Sequence, residues 1–157
     1  MATPKRYTIL QAVVTALGTI KTPGYNTTVA YVSTDMNIDH PDQLDKNKFP
    51  ACFPYDEDET KEALAIFGSA GDNMKSTLTI VITSMIYSRI SSQNTLKRAN
   101  LIQDIERKMV TDAGISNLLI ELPTPKTVMT DKGFFKNYSV FDQTFECVYT
   151  YVHSTGG

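Results

Sequence analysis

Cysteine, histidine and tryptophan are scarce in this chain: two, two and none among 157 residues. Cys52 and Cys147 lie far apart and form no C-x-x-C pair, which excludes a disulfide framework and a zinc ribbon and leaves two small buried thiols in a reducing compartment as the expectation. His40 sits in a polar stretch and His153 near the C-terminal end, neither with a partner at metal-ligand spacing. The glycines Gly68 and Gly71 in FGSAGDNMKS lack a following GK[ST] and read as a flexible turn, not a phosphate cradle. No Ser or Cys occupies a nucleophile-elbow motif. On these grounds the sequence nominates no catalytic residue, no metal ligand and no cofactor.

Two further scarcities bear on partners. No stretch approaches the roughly 18 consecutive apolar residues of a spanning helix, and the basic start, Met1 to Tyr7, is not followed by a signal-peptide core, so a soluble, unprocessed chain with no membrane partner is expected. Lys and Arg number 15 against 17 Asp and Glu, a net charge of −2, which leaves no basic footprint for phosphate neutralisation or sequence-specific nucleic-acid binding.

What the chain does contain is periodic. With 41% hydrophobic residues it can build one ordinary core, and a single domain over 1–157 is expected. Ile9, Ala12, Val13, Ala16, Leu17 and Ile20 recur at helical spacing over 7–20. After the turn at Lys21-Thr22-Pro23-Gly24, residues 26–33 have strand composition, and 34–48 reads as an exposed polar loop. Phe49 to Tyr55, punctuated by Pro50 and Pro54, reads as an extended segment at a sheet edge or strand terminus, and 61–67 as a helical turn or strand end. Residues 77–90 alternate Leu78, Ile80, Ile82 and Ile86 with Thr77, Thr79, Val81 and Thr83, which predicts a long strand. A second helix follows, capped by Asn94 or Thr95, with Leu96, Ala99, Ile102, Ile105 and Met109 as its stripe and Gly114 permitting its stop. Short strands are expected at 118–122 and around 127–129, a turn at Asp131-Lys132-Gly133, and a long terminal strand over 139–153. The order predicts an α+β fold, a mainly antiparallel sheet with two helices on one face. Its expected core is Leu78, Ile80, Ile82, Ile102, Ile105, Phe141, Phe145 and Tyr149.

Two clusters stand outside that core. Asp56, Glu57, Asp58 and Glu59 form the densest charge run; four adjacent acids read as a solvated loop at a channel or rim rather than a catalytic dyad. Phe134, Phe135 and Tyr138 crowd three aromatics just after a turn, where not all can face one core, and are candidate subunit or partner contacts.

Taken in order, the first helix, Phe49-Pro50-Ala51 running into the acids from Asp56 to Glu62, the Thr-rich strand from Thr77, Leu101-Ile102-Gln103-Asp104-Ile105, Thr130-Asp131-Lys132-Gly133 and the aromatic strand ending at Tyr151 form a pattern. It resembles the tail terminator, or tail completion, proteins of long-tailed bacteriophages across most of the chain, with 34–48 as an elaboration. The resemblance implies a non-catalytic virion subunit at the head–tail junction, assembled in the host cytoplasm. It also implies a homo-hexameric ring that caps the tail-tube protein, ends polymerisation and joins the head connector or neck protein, with DNA passing through. Long strands with pairable edges suit such a role. The alternatives are a neck or head-completion protein of the same particle, or a small soluble hydrolase or ligand-binding domain.

Overall fold

A computed structural model describes residues 3–64 and 73–152. The first helix, α1 (Lys5–Leu17), starts after Pro4, whose carbonyl accepts the Thr8 N–H, and ends at Gly18. It buries Ile9, Leu10, Val13, Ala16 and Leu17, close to the stripe its spacing predicts. Of the strand expected over 26–33 only β1 (Tyr31–Val32) forms, because Asn26 and Thr27 give their N–H groups to Asp104 instead of to a neighbouring strand.

Four long strands follow in pairs: β2 (Ala51–Ala63) with β3 (Asn73–Tyr87), then β4 (Thr124–Thr130) with β5 (Tyr138–Val152). Between the pairs lie α2 (Asn94–Thr111) and the short α3 (Ala113–Ser116). The sheet order is β1-β2-β3-β5-β4, antiparallel throughout except that β1 runs parallel to β2. This is the expected α+β fold, with α1 and α2 on one face of a mostly antiparallel sheet. Even-numbered β3 residues (Leu78, Ile80, Ile82, Ile86) and odd-numbered β5 residues (Phe141, Phe145, Cys147, Tyr149) meet the helices, as a period of two requires.

Pro54 is accommodated within β2 by position. Ala30 and Ser33 bond the carbonyls of Pro50 and Cys52, so alternate residues of β2 face away from β3, and Pro54 continues that series just past the reach of β1. The N–H it lacks would have pointed away from β3, so no bond of that ladder is lost.

Several expectations need correction. The polar segment 34–48 is anchored: it forms two single 3-10 turns, Pro41–Gln43 and Lys46–Lys48, and buries Pro41 and Leu44. Leu44 joins Ala51, Phe53 and Met85 in a second cluster, with Tyr31, Ile38, Phe49 and Val140 around it, on the sheet face opposite the helices. Residues 118–122 form turns rather than a strand, held by Leu118 to Ile115 and Ile120 to Val148 backbone bonds. Leu96, expected in the stripe of α2, is 67% exposed and Ile102 is only partly buried; Leu101, Ile105 and Met109 carry the buried face. Asn94 is the first residue of α2, with no side-chain cap bond at that end, and the stop falls at Asp112, whose carboxylate accepts the Ile115 N–H to start α3. Residues 61–63 continue β2, whereas Gly68, Gly71 and His153 lie outside the described residues.

Candidate interaction surfaces

The acidic run is part of a strand, not a loop. Asp56 pairs with Ile80 and Glu59 with Leu78, so Glu57 and Asp58 together stand opposite Thr79 in a β-bulge. The extra residue keeps Asp56 and Glu59 on the same, helix-facing side, where α1 places Arg6. The Arg6 guanidinium pairs with Asp56, donates to Glu59 at 3.1 Å, and reaches the Glu57 carbonyl at 2.6 Å. Glu59, its side chain only 7% exposed, also accepts from the hydroxyls of Ser76 and Tyr149, with Lys61 3.9 Å away. Burial works against its charge, but the Ser76 and Tyr149 bonds, Lys61 and Arg6 outweigh it and hold the carboxyl below its ordinary range. Tyr149 responds in the opposite sense: burial and the Glu59 carboxylate push its phenol up.

The run therefore divides. Asp56 and Glu59 fasten α1 to the bulge; Glu57 and Asp58 remain exposed and are the two residues still placed to present negative potential to a channel or rim. Neutralising all four acids would strip α1 of its anchor, whereas neutralising Glu57 and Asp58 leaves every one of these side-chain contacts in place. Arg6 was legible in principle. A cation in the first turn of a helix, with no acid beside it there, opposes the helix dipole and calls for a carboxylate from elsewhere.

The three aromatics after the turn divide as well. Lys132, Gly133 and Asn137 take positive φ (55°, 80° and 64°), and the Asp131 carboxylate accepts the Gly133 and Val140 N–H groups, so the turn is tied at both ends. Tyr138 packs against Phe49 and Tyr87 at ring-centroid distances of 5.5 and 5.2 Å, inside the protein's own fold. Phe135 is half-buried, edge-on to His40 at 4.9 Å. Phe134 touches Phe135 at 5.0 Å and is otherwise bare, 82% exposed. The sequence grouped the three rings; the His40 contact that separates their roles comes from a loop nearly a hundred positions earlier and had no local signal.

A second exposed surface lies on the other flank. β4 is the outermost strand, Val128 and Met129 are exposed, the latter by 70%, and the Ile120 and Leu122 side chains stand just before it. Between Met36–Pro41 and the sheet residues Thr83, Met85 and Asp142 there is a shallow depression of about 260 Å³, rimmed by Phe135. Both thiols are buried and pushed by that burial up to about 12, which leaves neither as a nucleophile at neutral pH. Among the described residues, no group of three His, Cys, Asp or Glu side chains converges as a metal site, and no helix is long and apolar enough to cross a membrane. No protein-family model matches the chain, and no curated protein matches it.

Proposed function

We propose that this chain is a structural, non-catalytic subunit of the tail terminator kind, a member of a homo-hexameric ring that caps a bacteriophage tail tube and presents its other side to the head connector or neck protein. The observation that carries the reading is Phe134. A large aromatic held out on a turn braced by Asp131 is preorganised for contact, since little backbone freedom is left to lose on docking. The acids at the β2 bulge, Glu57 and Asp58, suit a channel wall or rim past which DNA slides without sticking, an effect that salt screens over about 8 Å at physiological strength.

The test is capping of purified tail tubes, with tail length as readout. Phe134→Ala is expected to abolish or strongly weaken capping while the subunit's stability stays within about 0.5 kcal/mol, the usual range for a surface change. Tyr138→Ala is the control: it removes packing against Phe49 and Tyr87 and is expected to lower stability. Full capping by Phe134→Ala would remove the anchor, and wild-type protein that never engages tubes would remove the reading itself.

A further inference from the structure

The sheet ends in two edges of different character. β2 is covered by β1 only at Ala51 and Cys52; from Pro54 to Ala63 no described strand lies on its outer side. β4 has β5 on one side and no described strand on the other. Edge strands of soluble proteins are normally blunted by proline, charge or a bulge, because their unpaired backbone groups will otherwise recruit another chain. β2 has all three devices from Pro54 to Glu59, in the proline, the acids and the Glu57-Asp58 bulge, but beyond the bulge residues 60–63 pair regularly with β3 and carry no proline. β4 has Pro125, Lys126 and a register shift at its start, but Thr127 to Thr130 carry no proline, no charge and no bulge.

We propose that the seam between neighbouring copies of this chain is a strand pairing in which the β4 edge of one copy takes the β2 edge of the next. The proposal deepens the ring reading and rests on it. Strand direction supports it: β2, β3, β5 and β4 alternate, so the two outer strands run opposite ways. A copy placed alongside in the same orientation therefore brings its β2 antiparallel to β4, and the ladder continues without a change of sense. Charge selects among the possible pairings. Two β2 edges would set Glu57, Asp58 and Glu62 against their own kind, whereas β4 brings Lys126 and, just past its end, Lys132. Among the described residues Lys126 pairs with Glu146 at 3.3 Å, both about half in solvent, so it can be shared with a neighbour's acid at little cost. Because the two edges differ, each copy keeps one free after pairing, and such head-to-tail contacts form a ring when the rotation between successive copies closes.

Cysteine cross-linking under a mild added oxidant tests this on the full chain, since native Cys52 and Cys147 are buried and do not compete. One set of variants carries Asp58→Cys or Thr60→Cys; the other carries Thr127→Cys or Met129→Cys, on the same face of the sheet, away from the helices. At least one mixture of the two sets is expected to give disulfide-linked dimers that neither member gives alone, and Lys126→Glu is expected to reduce the product of the Thr60→Cys and Thr127→Cys mixture while Lys126→Glu combined with Glu62→Lys restores it. Dimers from Thr127→Cys or Met129→Cys alone would show two β4 edges meeting and overturn the proposal. Wild-type rings seen by light scattering, with no mixed product from any pairing, would overturn the seam and leave the ring standing. Cross-linked rings that fail to cap tubes would keep the seam and remove the capping function. A chain that stays monomeric both in solution at the highest concentration reached and on tubes would overturn both.

Discussion

Arg6 and Glu59 show how much one pair of side chains can decide. An arginine in the first turn of α1 opposes that helix's dipole, and a glutamate next to buried Leu78 and Tyr149 would be costly alone; each removes the other's penalty. The carboxyl is held below its ordinary range in the folded chain. Its stabilising effect is therefore fully present above the unfolded-state value, about 4.3 for a glutamate, and is lost as pH falls through the lower folded value, where the native state must also take up the proton. The stability difference between wild type and Glu59→Gln, read from denaturant midpoints, is expected to hold steady from neutral pH down to about 5 and to shrink on further acidification. A difference that did not change with pH would show that Glu59 acts through shape and hydrogen bonding alone.

At the scale of elements, α2 shows what a hydrophobic pattern can and cannot convey. The 3.6-residue period made the helix plain, but its phase was set on Leu96 and Ala99, and the buried face turns out to be Leu101, Asp104, Ile105 and Met109. Asp104 hid that face because an acid in an apolar stripe reads as solvent-facing. Its partners are the Asn26 and Thr27 N–H groups, at 3.2 and 2.8 Å, and the Asn26 amide at 3.1 Å, more than seventy positions away. With Asp104 only 1% exposed, Asp104→Ala is expected to cost roughly 1–3 kcal/mol in urea melts, since the Asn26 and Thr27 N–H groups lose their acceptor, and Asp104→Asn less. A loss below about 0.5 kcal/mol would mean that water replaces the carboxylate. The body of β3 and of β5 was legible because one face is apolar and alternates, whereas residues 73–76, read as part of a flexible turn, open β3, and 88–90 lie beyond its end. The strand through the acids was not, since a bulge resets the alternation midway, and 118–122 carried strand composition yet forms turns held by only a few backbone bonds.

Across the whole molecule, the order of elements and the α+β class followed from periodicity, while the second cluster did not. Ile38 and Leu44 are isolated among polar residues, and what makes them apolar anchors is Phe53 and Met85, brought beneath them by the sheet. Of the two proposed surfaces, the aromatic group was visible as composition, but singling out Phe134 needed the partners of its neighbours, and the β4 edge needed the strand order. The polar segment beneath the sheet has one more effect. Among the described residues, β3 is packed on both sides near 84–86, between the helices and the Leu44 cluster, but near 77–79 only on the helix side. The strand thus has a gradient of kinetic protection built along its length. In native-state hydrogen exchange the paired amides around Met85 are expected to open only with global unfolding, and those around Thr77 and Thr79 through a cheaper sub-global opening with a smaller denaturant dependence. Equal opening free energies along β3 would show instead that the sheet is one cooperative unit, whichever of its faces is covered.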